Sequence, residues 1–337
     1  MACRMALVSV TVAALVAAGC SDGDGSAAAR AGGGGSGEPL VVATTSIWAD
    51  VVANVACDGQ AEVETIIPIG GDSHAFEASL ADRDAMGDAA LVVANGLRLE
   101  EGLEDTLEAV EAAGTPVLRI GDHLDPIGSS SGTAVHDHVA DDDDDVTEDD
   151  HDVAEDDHDH SDVDPHIWFD PAQVSAALPL LADSLVSEGG LDAAAVEECV
   201  TAYQAELAAL DAEVSRILAV VPEGRRKLVT NHGTLGHFAA HYGFEVIGTV
   251  IPSSSTLAET NPAALEELAR LIDETGVRAI FAETQHSTDE ASALADRVGD
   301  VEVVALYTET LGEQGSGAET YVGFLRSNAQ LVADALS

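Results

Sequence analysis

Leu191–Val221 reads LDAAAVEECVTAYQAELAALDAEVSRILAVV, and its interpretation decides the fold. Apolar residues fall at Val196, Cys199, Val200, Tyr203, Leu207, Leu210, Val214, Ile217 and Leu218. Steps of three and four keep them on one face of a single helix. Pro222 and Gly224 end it. A helix of about 30 residues is roughly 45 Å long, enough to cross a pair of domains. Residues 191–222 are therefore expected to form a rigid bridge between whatever lies on either side.

Both flanks alternate strand and helix. Before the bridge, short apolar runs at 40–44, 63–67, 90–94 and 116–120 predict strands, with Pro68 stopping the second. Helices are expected over 47–56 with Ser46 as cap, from Ser79 to about Asp88, over 99–113, and from Pro171 to about Glu188. After the bridge, strands are expected at 227–230, 244–250, 279–282 and 301–306. Helices are expected after His232 to Tyr242, from Pro262 to Glu274, and over 289–298 and 318–336. Strands that alternate with helices make parallel sheets covered on both faces. The expected fold class is α/β: two similar lobes, each a four-stranded parallel sheet flanked by helices, with a cleft between. The first lobe spans 38–190 and the second 223–337.

The 337 residues carry 13 Lys+Arg against 62 Asp+Glu, a formal net charge of −49. Such a field repels nucleic acid and attracts cations. No nucleic-acid partner is expected. Residues 1–19 look like a signal: Arg4, an apolar run from Met5 to Ala18, and small residues before Cys20. The run is too short to span a bilayer. It resembles a bacterial lipoprotein signal, which implies cleavage before Cys20 and a lipid on that cysteine. Residues up to 37 then form a Gly/Ser/Ala tether. Two cysteines remain, Cys57 and Cys199, and in an exported chain two such residues more often pair than stay free. A disulfide between them would tie the first helix to the bridge.

The tract His136–His160 interleaves His136, His138, His151, His158 and His160 with Asp and Glu and holds no aromatic residue. It cannot bury enough apolar surface to fold alone. Residues 129–163 are expected to be a disordered insertion offering weak, exchangeable metal capture.

In parallel sheets, ligands collect beyond the carboxyl ends of the strands. His74 follows the second expected strand. His166 lies in Asp164-Pro165-His166-Ile167-Trp168-Phe169-Asp170-Pro171, a loop stiffened by two prolines. His232 follows 227–230, and Glu309 follows the last strand. Three imidazoles and a carboxylate match the ligand set of tetrahedral zinc, and disfavour the hard cations that want oxygen. Glu283 and His286 follow the strand 279–282 and are candidates for orienting a ligand. His237 and His241 beside Tyr and Phe are expected to pack, as are Trp48 and Trp168; His123 has no evident partner.

Four motifs carry a resemblance: Gly71-Asp72-Ser73-His74-Ala75-Phe76-Glu77, Asp164-Pro165-His166-Ile167-Trp168, Thr230-Asn231-His232 with Tyr242-Gly243-Phe244, and Leu306-Tyr307-Thr308-Glu309-Thr310-Leu311-Gly312. With the acidic His-rich insertion, they resemble the zinc- and manganese-binding solute-binding proteins of bacterial ABC importers, from residue 39 onward. The resemblance implies metal held between two lobes and handed to a membrane permease with its ATPase. It implies His74, His166 and His232 as ligands of transported Zn(II). Manganese-type members usually carry a carboxylate where His232 stands, so Mn(II) is the less expected cargo. Glu309 stands where the family usually has Asp, which leaves Glu309 or a water as fourth ligand. The expectation is a monomeric, lipid-anchored, non-enzymatic protein on the extracytoplasmic face of the cell membrane. The alternatives are a zinc-dependent hydrolase using the same three His, against which no His-Glu-x-x-His run occurs, and a surface metal buffer or adhesin.

Overall fold

A computed structural model describes residues 37–57, 59–128 and 163–337. The expected signal, the lipidation site Cys20, the tether up to residue 36 and the histidines at 136, 138, 151, 158 and 160 lie outside the described residues. The first lobe runs β1 (Leu40–Ala43), α1 (Ser46–Ala56), β2 (Glu62–Thr65), α2 (Leu80–Asp88), β3 (Leu91–Ala94), α3 (Glu104–Ala113) and β4 (Val117–Arg119). Then come α4 (Pro171–Ser187) and the bridging helix α5 (Ala193–Leu218). The second lobe runs β5 (Lys227–Thr230), α6 (Gly236–Tyr242), β6 (Glu245–Thr249), α7 (Pro262–Thr275), β7 (Ala279–Glu283), α8 (Asp289–Val298), β8 (Glu302–Leu306) and α9 (Tyr321–Leu336).

Each lobe has one four-stranded sheet, ordered β2-β1-β3-β4 and β6-β5-β7-β8, with every neighbouring pair parallel. The two-residue period of a strand explains how both faces are covered. Val41 and Ala43 of β1 and Leu91 and Val93 of β3 enter a large core shared by the two lobes. Their neighbours Val42, Val92 and Ala94 enter a separate outer cluster with Met86, Leu103 and Leu107. In the second lobe Leu228 joins the shared core and Val229 an outer cluster with Leu268, Ile272 and Leu294.

The bridge buries Val196, Tyr203, Leu207, Leu210, Val214 and Leu218 in the shared core, the face its periodicity marks. It has 26 residues, shorter than the expected stretch at both ends. Asp192 starts it by accepting from Ala195 N at 2.9 Å. A disulfide joins Cys57, at the end of α1, to Cys199 on α5.

Some boundaries differ from expectation for local reasons. Thr45, not Ser46, caps α1 by accepting from Trp48 N, and the Ser46 hydroxyl instead accepts from Leu311 N at 2.9 Å. The predicted helix over 99–113 begins only at Glu104. The Glu100 carboxylate turns back to accept from Asn95 N and Gly96 N, and Leu97 and Arg98 take positive φ in the resulting tight turn. Gly128 and Val163 form an antiparallel bridge.

The Cys57–Cys199 bridge spans 142 residues, a separation at which loop-closure entropy is large. Replacing both cysteines by serine should lower unfolding free energy by about 2–5 kcal/mol. Denaturant melts of the two proteins would measure the difference.

Candidate metal centre

His74, His166 and His232 come from three separate loops and meet in full burial, each exposing 1% or less of its surface. One ligand nitrogen from each lies within 4.8 Å of the others. The ring centroids are 5.0–5.5 Å apart. The His166 and His232 Nε2 atoms stand 3.1 Å apart. Two lone pairs cannot face each other at that distance, so a proton or a cation must lie between them.

The far side of each of these two rings is fixed by a carboxylate. His166 Nδ1 donates to Asp164 Oδ1 at 2.8 Å, and the same oxygen accepts from His166 N. His232 Nδ1 donates to Glu283 Oε1 at 2.5 Å. This outer pairing sets the tautomer and turns Nε2 toward the centre, the arrangement ligating histidines need. Glu283 is held in turn by Gln285 Nε2 and Thr308 Oγ1, both donating to its Oε2.

His74 is placed by its loop. Asp72 Oδ1 accepts from His74 N and Ala75 N, and the His74 carbonyl accepts from Gly102 N at 2.9 Å. A Cβ at Gly102 would sit 2.4 Å from the Phe76 carbonyl oxygen, so only glycine allows this approach. Neither His74 ring nitrogen has a hydrogen-bond partner; Glu101 Oε1 is 3.7 Å from Nδ1. Glu309 stands beside His232. Its Oε2 accepts from Ser73 N at 2.6 Å, and its Oε1 is buried, unpartnered and 3.6 Å from His232 Nε2. Buried polar atoms without partners are rare, and here the His74 ring and Glu309 Oε1 both carry them beside His232.

A hydrogen-bonded frame ties these loops together. Asn95 accepts from Trp48 Nε1 and donates to the Pro165 carbonyl. Trp168 Nε1 donates to the Thr308 carbonyl, and Tyr321 OH to the Trp168 carbonyl. Trp48 and Trp168 therefore pack as expected, joining the His166 loop to the Glu309 loop. His237 Nε2 donates to the Asp164 carbonyl, and His241 is held between Asp170 and Asp211. His286 lies at the edge, 3.8 Å from Glu283 Oε2, and His123 is on the surface.

Burial drives the protonation pattern. It pushes the Asp164 carboxyl up to about 6 and the Glu309 carboxyl upward as well. Burial, with the neighbouring His232 and His74, holds His166 well below the usual imidazole range, so His166 is neutral. Burial also opposes charge on His232, but the Glu283 carboxylate outweighs it and raises the ring to about 9. Burial would raise Glu283 too, and the His232 charge pulls it below the ordinary carboxylate value. Hence at neutral pH His232 carries a proton that it donates toward the His166 Nε2 lone pair, and a metal held between these rings would have to displace that proton.

The sequence motifs did not single out Asp164, Asp72, Asn95 or Glu101. Asp164 had a readable signal, a carboxylate two residues before a loop histidine. The Asn95 and Glu101 contacts depend on distant chain segments and had none.

Residues 41–335 match the family described as zinc-uptake complex component A, periplasmic (ZnuA). The chain belongs to this family. The description is of a component of an uptake complex, not of an enzyme. Among relatives, the zinc-binding protein TroA of Treponema pallidum is 29% identical over 89% of this chain and 90% of the relative. The manganese-binding lipoprotein MntA of Halalkalibacterium halodurans is 27% identical over 97% of each. The solved structure of the periplasmic zinc-binding protein TroA from Treponema pallidum superposes with a TM-score of 0.74 at 28% identity, covering 89% of this chain and all of that one. The two-lobed architecture is thus that of a solved relative.

Two pH effects follow from the His232 proton. His232 is raised from 6.5 to about 9 in the fold, so in the metal-free protein its contribution to stability is complete below pH 6.5 and is lost as pH rises through 9. Over the same range metal binding should release one proton, and apparent affinity should rise by about tenfold per pH unit. Calorimetric titration in buffers of different ionisation enthalpy would count that proton.

Proposed function

We propose that this protein captures Zn(II) outside the cytoplasm and delivers it to the permease of an ABC importer, driven by a cytoplasmic ATPase. The observation that supports it most is the meeting of three buried imidazoles with an unpartnered, buried Glu309 oxygen. That donor set, His74, His166, His232 and Glu309, is three nitrogens and one oxygen, as a four-coordinate zinc ion prefers. Mn(II) favours oxygen-rich, higher-coordinate sites, so it should bind more weakly. The relatives that match this chain include both a zinc-binding and a manganese-binding protein, so the preference for zinc rests on the donor atoms.

The surroundings favour carriage over catalysis. Glu283 is committed to His232 and is not a free base. The opening beside His74 has a volume of about 170 Å³ and is lined by Arg98, Glu101, Pro165 and Ser254 among others. It suits an ion with its waters. Cys20 as a lipid anchor, a monomeric state and metal capture by the insertion histidines complete the proposal. Several relatives are named lipoproteins of metal ABC transporters, including FimA of Streptococcus parasanguinis.

Competition titration with a zinc chelator tests the reading. The wild-type chain should show one tight zinc site. His232→Ala should weaken it by more than about 100-fold, and Glu283→Gln, which removes the charge of the orienting partner, by about 10–100-fold. Deleting residues 136–160 should leave the tight site in place. Tight binding that survives His232→Ala but vanishes with the deletion would make the protein a surface metal buffer.

A further inference from the structure

Beside the imidazole trio, Asp72, His286 and Glu309 form a second group whose ligand atoms lie within 4.8 Å of one another. Glu309 also groups with His232 and Glu283, so one carboxylate belongs to both neighbourhoods. Its side chain is fully buried and its Oε1 has no hydrogen-bond partner. His286 Nε2 is likewise unpartnered, 3.7 Å from Asp72 Oδ2 and 3.8 Å from Glu283 Oε2. Those gaps are too long for hydrogen bonds. They are near the separation of two ligands on one tetrahedral zinc, roughly 3.4 Å for bonds of about 2.1 Å.

Exposure grades in one direction. The side chains of Asp72 and His286 are 22% and 25% exposed, whereas those of His232 and Glu309 are at 0%. Asp72 Oδ1 is occupied by the His74 and Ala75 amides. Its Oδ2 has only the Thr256 hydroxyl, which is shared with Oδ1 and can turn away. Glu283 Oε2 already accepts two hydrogen bonds and is not free to join.

We propose that Asp72, His286 and Glu309 form a staging site that holds a partly hydrated Zn(II) at the cleft edge. Glu309 keeps its bond to the ion while Asp72 and His286 are exchanged for the imidazole nitrogens, and the remaining waters leave through the cleft. The inference rests on the reading of the trio as the tight zinc site. A position on the route alters the rates of entry and exit alike and leaves the equilibrium of the buried site unchanged.

His286→Ala is the informative variant, because it leaves the trio and the Asp72 turn intact; His286→Gln, closer in size, guards against a folding artefact. Stopped-flow mixing of the full chain with zinc, and of the loaded chain with a chromophoric chelator, would give both rates. Loading and release should each slow by about tenfold in both variants, with the dissociation constant within twofold of wild type. Unchanged rates would overturn the staging site. So would faster release with weaker binding, which would make His286 a support for Glu283. If the wild-type chain has no tight zinc site, the proposed function fails first, and the same titration shows it.

Discussion

The 3.1 Å approach of His166 Nε2 to His232 Nε2 is the contact on which the rest of the site depends. In full burial it is stable only with a proton or a cation between the rings. The surrounding carboxylates supply the complement: Asp164 behind one ring, Glu283 behind the other, and Glu309 beside His232. Uncompensated buried charge is expensive, and breaking one partner of such a set costs more than the set contributes in isolation. One proton on His232 relieves part of the imbalance; a divalent cation relieves more, and does so with directed bonds. The site is therefore built for a cation before any particular ion is named.

The contact is also a join between lobes. His166 comes from the segment before α4, and His232 from the end of β5. Glu309, from the end of β8, accepts from Ser73 N in the first lobe, and Leu311 N donates to Ser46 Oγ. Parallel sheets make this possible, because all four strands of each lobe deliver their carboxyl ends to one edge. The bridge α5 and the shared core set those two edges against each other. Thr256, also from the second lobe, bonds Asp72 beneath the His74 loop. Lobe closure and the proposed metal coordination thus draw on the same few loops, so ion binding should couple to small loop movements more readily than to wide hinge opening.

Much of this was readable from the chain. Strand–helix alternation and the apolar stripe from Val196 to Leu218 are long periodic signals, and they carry the α/β class, the two sheets and the bridge. His74, His166, His232 and Glu309 could be picked out as candidates because each follows a strand or sits in a proline-stiffened loop. What escaped was set by contacts distant in sequence. The late start of α3 follows from Glu100 capping its own turn, which no helix pattern encodes. Asn95 matters only because β3 ends beside Pro165. Glu283 could be placed at the cleft edge from sequence, but its bond to His232 spans 51 residues and needed the fold.

X-ray absorption at the zinc edge, on the full chain loaded with one equivalent of zinc, tests the central claim most directly. The account predicts four nitrogen or oxygen neighbours at about 2.0–2.1 Å, with the outer-shell scattering of three imidazoles. A five- or six-coordinate, oxygen-rich shell with one imidazole or none would contradict it.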